Sequence, residues 1–234
     1  MECLVMRLTA PLASWGEPAV GEYRPSADWP GQTALMGLLG AALGLDRADE
    51  DAQLSLRDGY RIAVGVLATS ELLRDYHTAQ VPGRSALKGR PHRTRRDELA
   101  VDKQELNTIL STRDYRQNGD WLVGVLAIGK PRWSLEQIAD ALRRPHFVLY
   151  LGRKSCPLAA PLAPRVMKEK TVKASFDGYL AQIPEAPGLK RLVWSDGVEA
   201  GVPADLSVPR KDRLVSRRRW QFGDRIEHSG LLEK

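Results

Sequence analysis

Apolar and polar positions change period several times along the chain, and each change marks an element. Residues 3–9, Cys-Leu-Val-Met-Arg-Leu-Thr, read as a first strand of mixed burial. A loop from Ala10 to Pro30 follows, punctuated by Pro11, Gly16, Pro18, Gly21 and Pro25. Trp15 and Tyr23 within it suit either satellite core or base stacking, and core is the stronger reading for Trp15. Thr33–Leu45 is apolar almost all round, which predicts a buried helix. Gly37, Gly40 and Gly44 recur near one face. Glycine costs about 1 kcal/mol in a helix interior, so Gly40 is expected at a packing contact and Gly44 at the C-terminal cap. Asp46–Asp58 is polar and acidic and reads as a surface connection, with Asp49, Glu50 and Asp51 as solvated carboxylates.

Tyr60–Ala68 reads as the second strand and Trp121–Ile128 as the third. Ser134-Leu-Glu-Gln137 is a capping box, with Trp133 and Ile138 placed as a hydrophobic staple. Leu135, Ile138, Ala139 and Leu142 continue it at helical spacing until Pro145. Phe147–Leu151 reads as a fourth strand that breaks at Gly152. After Ala159 the chain is proline-rich and then sparse in apolar residues. Only Leu189–Trp194, Asp205–Val208 and the stretch near Arg225–His228 look strand-like. The order β-α-β-(arm)-β-α-β predicts an α+β, ferredoxin-like (RRM-like) βαββαβ domain over residues 1–160, an arrangement shared by many RNA-recognition domains. An incomplete, mostly-β C-terminal lobe over 161–234 is expected to pack on it.

The arm, about residues 72–115, has two strand-like stems, Leu72–Gln80 and Asn107–Tyr115. Its tip from Arg84 to Arg96 carries six cations (Arg84, Lys88, Arg90, Arg93, Arg95, Arg96) and no acid. The tip is too polar, and too punctuated by Gly89 and Pro91, to belong to a core. The chain carries 35 Lys and Arg against 29 Asp and Glu, a net +6. A second cluster, Arg210–Arg219, has six cations against Asp212. Removing the eleven net charges of the two clusters leaves −5 for the remainder. Basicity this localised is the footprint of a polyanion, with nucleic acid favoured over a solvated charge run. An acidic protein partner for the arm is the remaining binding alternative.

No apolar run reaches a membrane span, and no secretory leader pattern opens the chain, so a cytoplasmic protein with no membrane partner is expected. Cys3, in a probable strand, and Cys156, in a loop, make no disulfide framework. His77, His92, His146 and His228 show no metal-ligand spacing; no metal and no cofactor are expected.

Three local chemistries need weighing. The helix start Gly31-Gln32-Thr33 offers N–H groups and a positive dipole end to an anion. Gly152-Arg-Lys-Ser155 lacks the glycine and lysine pattern of a P-loop but is a basic loop placed to contact phosphate. Asp75-Tyr76-His77 with Lys154 could supply base and cation for metal-free RNA cleavage. The stronger reading is that Tyr76 and His77 hold the arm's base or touch RNA without cutting it.

Four stretches resemble the Cas-five (CasD-type) subunits of the type I-E CRISPR Cascade complex: Leu12-Ala-Ser-Trp-Gly16, Gly37-Leu-Leu-Gly-Ala-Ala-Leu-Gly44, Asp75-Tyr-His-Thr78 and Leu149-Tyr-Leu-Gly-Arg-Lys-Ser-Cys-Pro157. The resemblance runs from residue 1 to about 160. It implies a non-catalytic RNA-binding subunit that caps the complex and grips the 5′ handle of the crRNA, with the arm as a thumb against the Cas-seven-type backbone subunit. The large subunit and target DNA are implied neighbours. A metal-independent endoribonuclease is the alternative, since a related subtype's subunit cleaves. Arg84, Lys88, Arg90, Arg93, Arg95 and Arg96 are the expected phosphate contacts. Arg153, Lys154 and Ser155 are expected to hold the handle near the sheet, joined by Arg113 and the helix-start residues Gln32 and Thr33. Tyr76, His77 and Trp15 are candidate base contacts or supports. The chain departs from the family in Pro30-Gly-Gln-Thr33, where relatives carry Pro-x-Lys-Ser, and in a more polar return stem, Arg113–Asp120.

Overall fold

The computed structural model describes residues 1–91 and 93–232; His92, one of the four histidines considered above, lies outside them. The first strand, β1 (Glu2–Ala13), runs longer than its apolar core, and successive residues Cys3, Leu4, Val5 and Met6 are all buried. Burial on both pleats means that both sheet faces are covered. Part of the expected loop is extended: β2 (Trp15–Gly16) pairs with β4 (Ser26–Ala27), and β3 (Tyr23–Arg24) lies between them in sequence. Then comes α1 (Gln32–Leu43), closed by Gly44 in a left-handed cap at φ 73°, as expected.

The polar connection is a helix instead. In α2 (Glu50–Gly59), Asp49 accepts the Ala52 N–H as the N-cap, and Ala52 and Leu56 are buried. Two buried apolar residues four apart are too few to make a visible period, yet they suffice to hold a ten-residue helix against the domain. β5 (Tyr60–Ala68), β6 (Glu71–Pro82), α3 (Arg95–Leu99) and β7 (Leu106–Ala127) follow. The return stem of the arm and the third core strand are one strand of 22 residues. Its polar middle had hidden that continuity. Asn118, at φ 53°, sits between the last arm pair, Glu71–Gln117, and the first β5 pair at Asp120.

The capping box is present in both directions at the start of α4 (Leu135–Arg143). The expected strand Phe147–Leu151 is not one: only a single bridge, Tyr150–Pro157, forms there. The N–H groups of His146 and Phe147 donate instead to Ala42 and Ala41, at 3.0 and 3.1 Å. These carbonyls belong to the last turn of α1, where backbone acceptors run short of intrahelical donors; Ala41 O also accepts the Gly44 N–H at 3.3 Å, and together they hold the segment at the helix end. The sheet position belongs to β8 (Arg165–Lys168). The C-terminal part contains an unforeseen helix, α5 (Val172–Leu180), then β9 (Arg191–Ser195), β10 (Leu206–Ser216) and β11 (Gln221–Leu231). The last two are longer than expected; β10 carries Arg210, Lys211 and Arg213 of the second basic cluster, and the turn between them carries Arg217, Arg218 and Arg219.

All of this is one α+β architecture around a large, mostly antiparallel sheet, in the order β10-β11-β9-β5-β7-β1-β8, with β3 and β6 also on β7. One face packs under α1, α2 and α4, where Leu35, Leu39, Leu56 and Ile138 meet Met6, Tyr60, Val64 and Trp121. The other packs under α5, where Phe176 and Tyr179 meet Val5, Ala63, Leu122 and Trp194. Among the described residues no helix is long and apolar enough to cross a membrane.

Candidate nucleic-acid interface

The arm is built by twelve β6–β7 pairs, from Glu71–Gln117 to Pro82–Leu106. At about 3.4 Å per residue the stem reaches roughly 35 Å from its root. Beyond it the tip folds on itself. Thr94 and Asp97 cap α3 reciprocally, Arg95 pairs with Glu98 at 2.8 Å and donates to the Gln80 carbonyl, and Arg90 donates to the Ala100 carbonyl. These two arginines therefore shape the tip. Arg84, Lys88, Arg93 and Arg96 are exposed, and none pairs with an acid among the described residues.

Strand alternation divides the stem into two faces. Leu73, Asp75 and His77 stand opposite Tyr115, Arg113 and Ser111; Leu72, Arg74 and Tyr76 stand opposite Arg116, Asp114 and Thr112. Tyr76 and His77, adjacent in sequence, thus project from opposite faces. Tyr76 is 66% exposed, and the His77 ring lies 3.8 Å from Asp75.

On the Tyr76 face, β3 runs parallel to β7 and brings Tyr23 to Asp114. The Tyr23 hydroxyl donates to the Asp114 carboxylate at 2.6 Å, Arg74 donates to it at 2.9 and 3.1 Å, and the Arg74 guanidinium sits 5.2 Å from the Tyr23 ring centre. The Arg74 hydrogen bond, with help from Tyr23, holds the Asp114 carboxyl below the usual range. This buried acid pins the arm's root.

On the other side stands the loop after Leu151. Ser14 N–H donates to Leu151 O at 3.0 Å, and Gly152 adopts φ 86° where a Cβ would enter the Ser14 carbonyl. Only glycine fits such an approach. The loop carries Arg153 over the Tyr115 ring at 4.6 Å, donating to Arg24 O at 3.4 Å. The Nη1 of Arg153 is buried and has no hydrogen-bond partner among the described residues. Lys154 and Ser155 are exposed beside it, and Arg113 donates to Ser111 Oγ at 3.2 Å. The fold thus brings Arg153, Tyr115 and the loop cations together at the arm's root. Trp15 lies in the core at 2% exposure, edge-on to Trp121 with ring centres 5.3 Å apart, so any contribution it makes is from beneath.

The start of α1 is already filled. Gln32 N–H donates to Asp212 Oδ2 at 2.8 Å, Thr33 Oγ1 donates to the Asp212 carbonyl, and a Cβ on Gly31 would lie 2.7 Å from Oδ2. The half-buried Asp212 is held in turn by Arg225, which also pairs with Glu227. The chain's own carboxylate stands where the sequence offered an anion site. Sequence reasoning named Tyr23 only as satellite core or a stacking platform, and missed Tyr115, Arg74 and Asp114. The alternation across 71–82 carried that information, but only with the register of the partner strand.

The sequence model of the CRISPR-associated protein (Cas_Cas5) family matches residues 3–226. The chain is 31% identical over 167 residues to the Cascade subunit CasD of the CRISPR system of Escherichia coli (strain K12), an alignment covering 68% of each. Among solved structures, a chain of a CRISPR RNA-guided surveillance complex superimposes with TM-score 0.66 at 22% identity, over 99% of this chain and 90% of that one. A Cas protein crystal structure gives 0.64 at 24% identity, over 99% and 95%. The chain belongs to the CRISPR-associated protein (Cas_Cas5) family.

Proposed function

We propose that this chain is the non-catalytic RNA-binding subunit of a type I-E CRISPR surveillance complex, gripping the 5′ handle of the crRNA and capping the backbone in cytoplasmic antiviral defence. The observation that carries the reading is the arm, a twelve-pair hairpin whose tip exposes Arg84, Lys88, Arg93 and Arg96, none of which pairs with an acid among the described residues. Family membership and the likeness to CasD support the setting, with crRNA, a Cas-seven-type backbone subunit and a large subunit as partners. The order β8-β1-β7-β5, with α1 and α4 as crossovers, supports a ferredoxin-like unit whose fourth strand, β8, lies past the expected boundary at residue 160, while β9, β10 and β11 of the 161–234 part extend the same sheet beyond β5. In this reading Arg84, Lys88, Arg93 and Arg96 meet phosphates, with Arg90 and Arg95 fixing the tip's shape. Arg153, Lys154, Ser155 and Arg113 hold the handle at the root, and Tyr76 or His77 meets a splayed base. Trp15 supports the root, and Gln32 and Thr33 act through Asp212.

The test uses end-labelled CRISPR-repeat RNA, incubated with the purified chain in EDTA and run on a denaturing gel beside a binding titration. Bound and intact RNA is expected. A discrete cut lost in His77→Ala or Lys154→Ala would replace this reading with a metal-independent endoribonuclease. Absence of binding that persists with the backbone subunit present would remove the RNA assignment.

A further inference from the structure

The second basic cluster is organised more tightly than the arm. It forms the β10–β11 turn, four strand positions away from β7 across the sheet. The Glu50 carboxylate, at the start of α2, accepts the N–H groups of Arg217 and Arg218 at 3.1 and 3.0 Å. Ser216 Oγ accepts from Arg219 N–H at 3.1 Å, and Trp220 closes the turn in the left-handed region at φ 56°. The turn is thus held in one shape by the protein itself.

What it displays is an indole among cations. Trp220 is 60% exposed; Arg217 lies 4.2 Å from its ring centre and Phe222 abuts it edge-on at 5.9 Å. Exposed Arg218 and Arg219 stand in the same turn and Lys211 and Arg213 on the strand that leads to it; Arg218 feels Glu50 and Arg213 feels Asp58, but none forms a close ion pair among the described residues. Arg47 stands near enough to oppose the charge of Arg217. A large aromatic left in water is costly, and like charges collected around it are mutually destabilising, so the arrangement favours a ligand that answers both. A protein partner would have to place acids and an apolar residue side by side to answer both. A duplex hides its base faces. A single strand offers one phosphate and one base face per nucleotide, and this is how aromatic platforms in basic grooves bind it.

We propose that the β10–β11 turn is a second nucleic-acid contact, in which Trp220 stacks on an unpaired base while Arg213, Arg218 and Arg219 meet flanking phosphates. It is separate from the arm and its truth does not depend on the arm's assignment.

The experiment measures anisotropy of fluorescein-labelled 12-nucleotide oligo-U and oligo-dT with the full chain between 50 and 200 mM salt. Trp220→Ala is expected to weaken binding about tenfold at any salt, since one base stack is worth about 1–3 kcal/mol. Trp220→Phe should keep most of the affinity. Arg218→Ala with Arg219→Ala should flatten the salt slope by about 1.4, at about 0.7 per phosphate. The same losses should recur in a chain already carrying Arg84, Arg93 and Arg96 changed to alanine, which separates this contact from the arm. Loss confined to oligo-U assigns the turn to guide RNA, and loss confined to oligo-dT assigns it to DNA. Retention of both oligonucleotides within twofold in Trp220→Ala and in the double arginine variant would overturn the proposal. Should Trp220→Ala fold poorly by circular dichroism, the exposed double arginine variant decides alone.

Discussion

Asp212 Oδ2 accepts the Gln32 N–H at 2.8 Å, so a carboxylate from an edge strand caps a helix 180 residues away in sequence. With the Glu50 contacts to the turn, this cap ties the C-terminal hairpin to the helix layer, and Arg225 secures it with hydrogen bonds of 2.6 and 3.1 Å. Asp212→Ala removes the cap and leaves the buried Arg225 with Glu227 alone. A loss of about 2 kcal/mol is expected, roughly 6 °C in Tm for a chain of this size. A Tm within 1 °C of wild type would mean the cap is ornamental.

The arm's charge should be read through salt. Arg84, Arg93 and Arg96 pair with no acid among the described residues, so replacing these three with alanine should flatten log K against log salt by about 2 units, at about 0.7 per phosphate. Replacing Arg95 or Arg90 should cost tip order as well, visible as faster proteolysis between residues 83 and 105. An unchanged slope in the triple variant would show that the arm does not meet phosphates.

Asp114 gives the root a pH signature. Its folded carboxyl is held low by Arg74 first, so its contribution is present above the ordinary aspartate value of about 3.9 and is lost as pH falls through the depressed folded value. Asp114→Asn should cost about 2 kcal/mol at pH 7, as for a charged hydrogen bond. The gap between variant and wild-type Tm should stay level down to about pH 5 and shrink below about pH 4. A gap that widens on acidification would reverse the assignment.

Gly152 should tolerate no side chain. Alanine there must leave φ 86° or push back the Ser14 carbonyl, at a cost of about 1–3 kcal/mol. Because Arg153 depends on this loop, Gly152→Ala should lower handle affinity severalfold with the salt slope little changed. Affinity equal to wild type would detach Arg153 from the RNA.

Both thiols should be silent. Burial pushes Cys3 up to about 12 and raises Cys156 as well, and the thiolate is the reactive form. Iodoacetamide at pH 8 should leave the native mass unchanged and label both cysteines in guanidinium. Rapid native labelling of Cys156 would mean that the Arg153 loop opens.

Elements whose signal is local were legible in the chain alone. Tyr60–Ala68, the Ser134 capping box, the Gly44 cap and the two stems of the arm all follow from a few neighbouring side chains. So did the localisation of charge and the family motifs. What the chain concealed depended on distant partners. Phe147–Leu151 has strand composition but is drawn to the open carbonyls of α1, while the less apolar Arg165–Lys168 takes the edge beside β1. Glu50 looked like a solvated acid and instead holds a turn 167 residues away. The helix start at Gln32 looked open to a phosphate until the sheet delivered Asp212 to it. Tyr76 and His77 stand together in sequence, yet the two-residue period of a strand sends them to opposite faces. Local propensity needs only neighbours to be read; a hydrogen-bond partner is chosen among all groups the sheet brings near, and only the tertiary structure makes that choice.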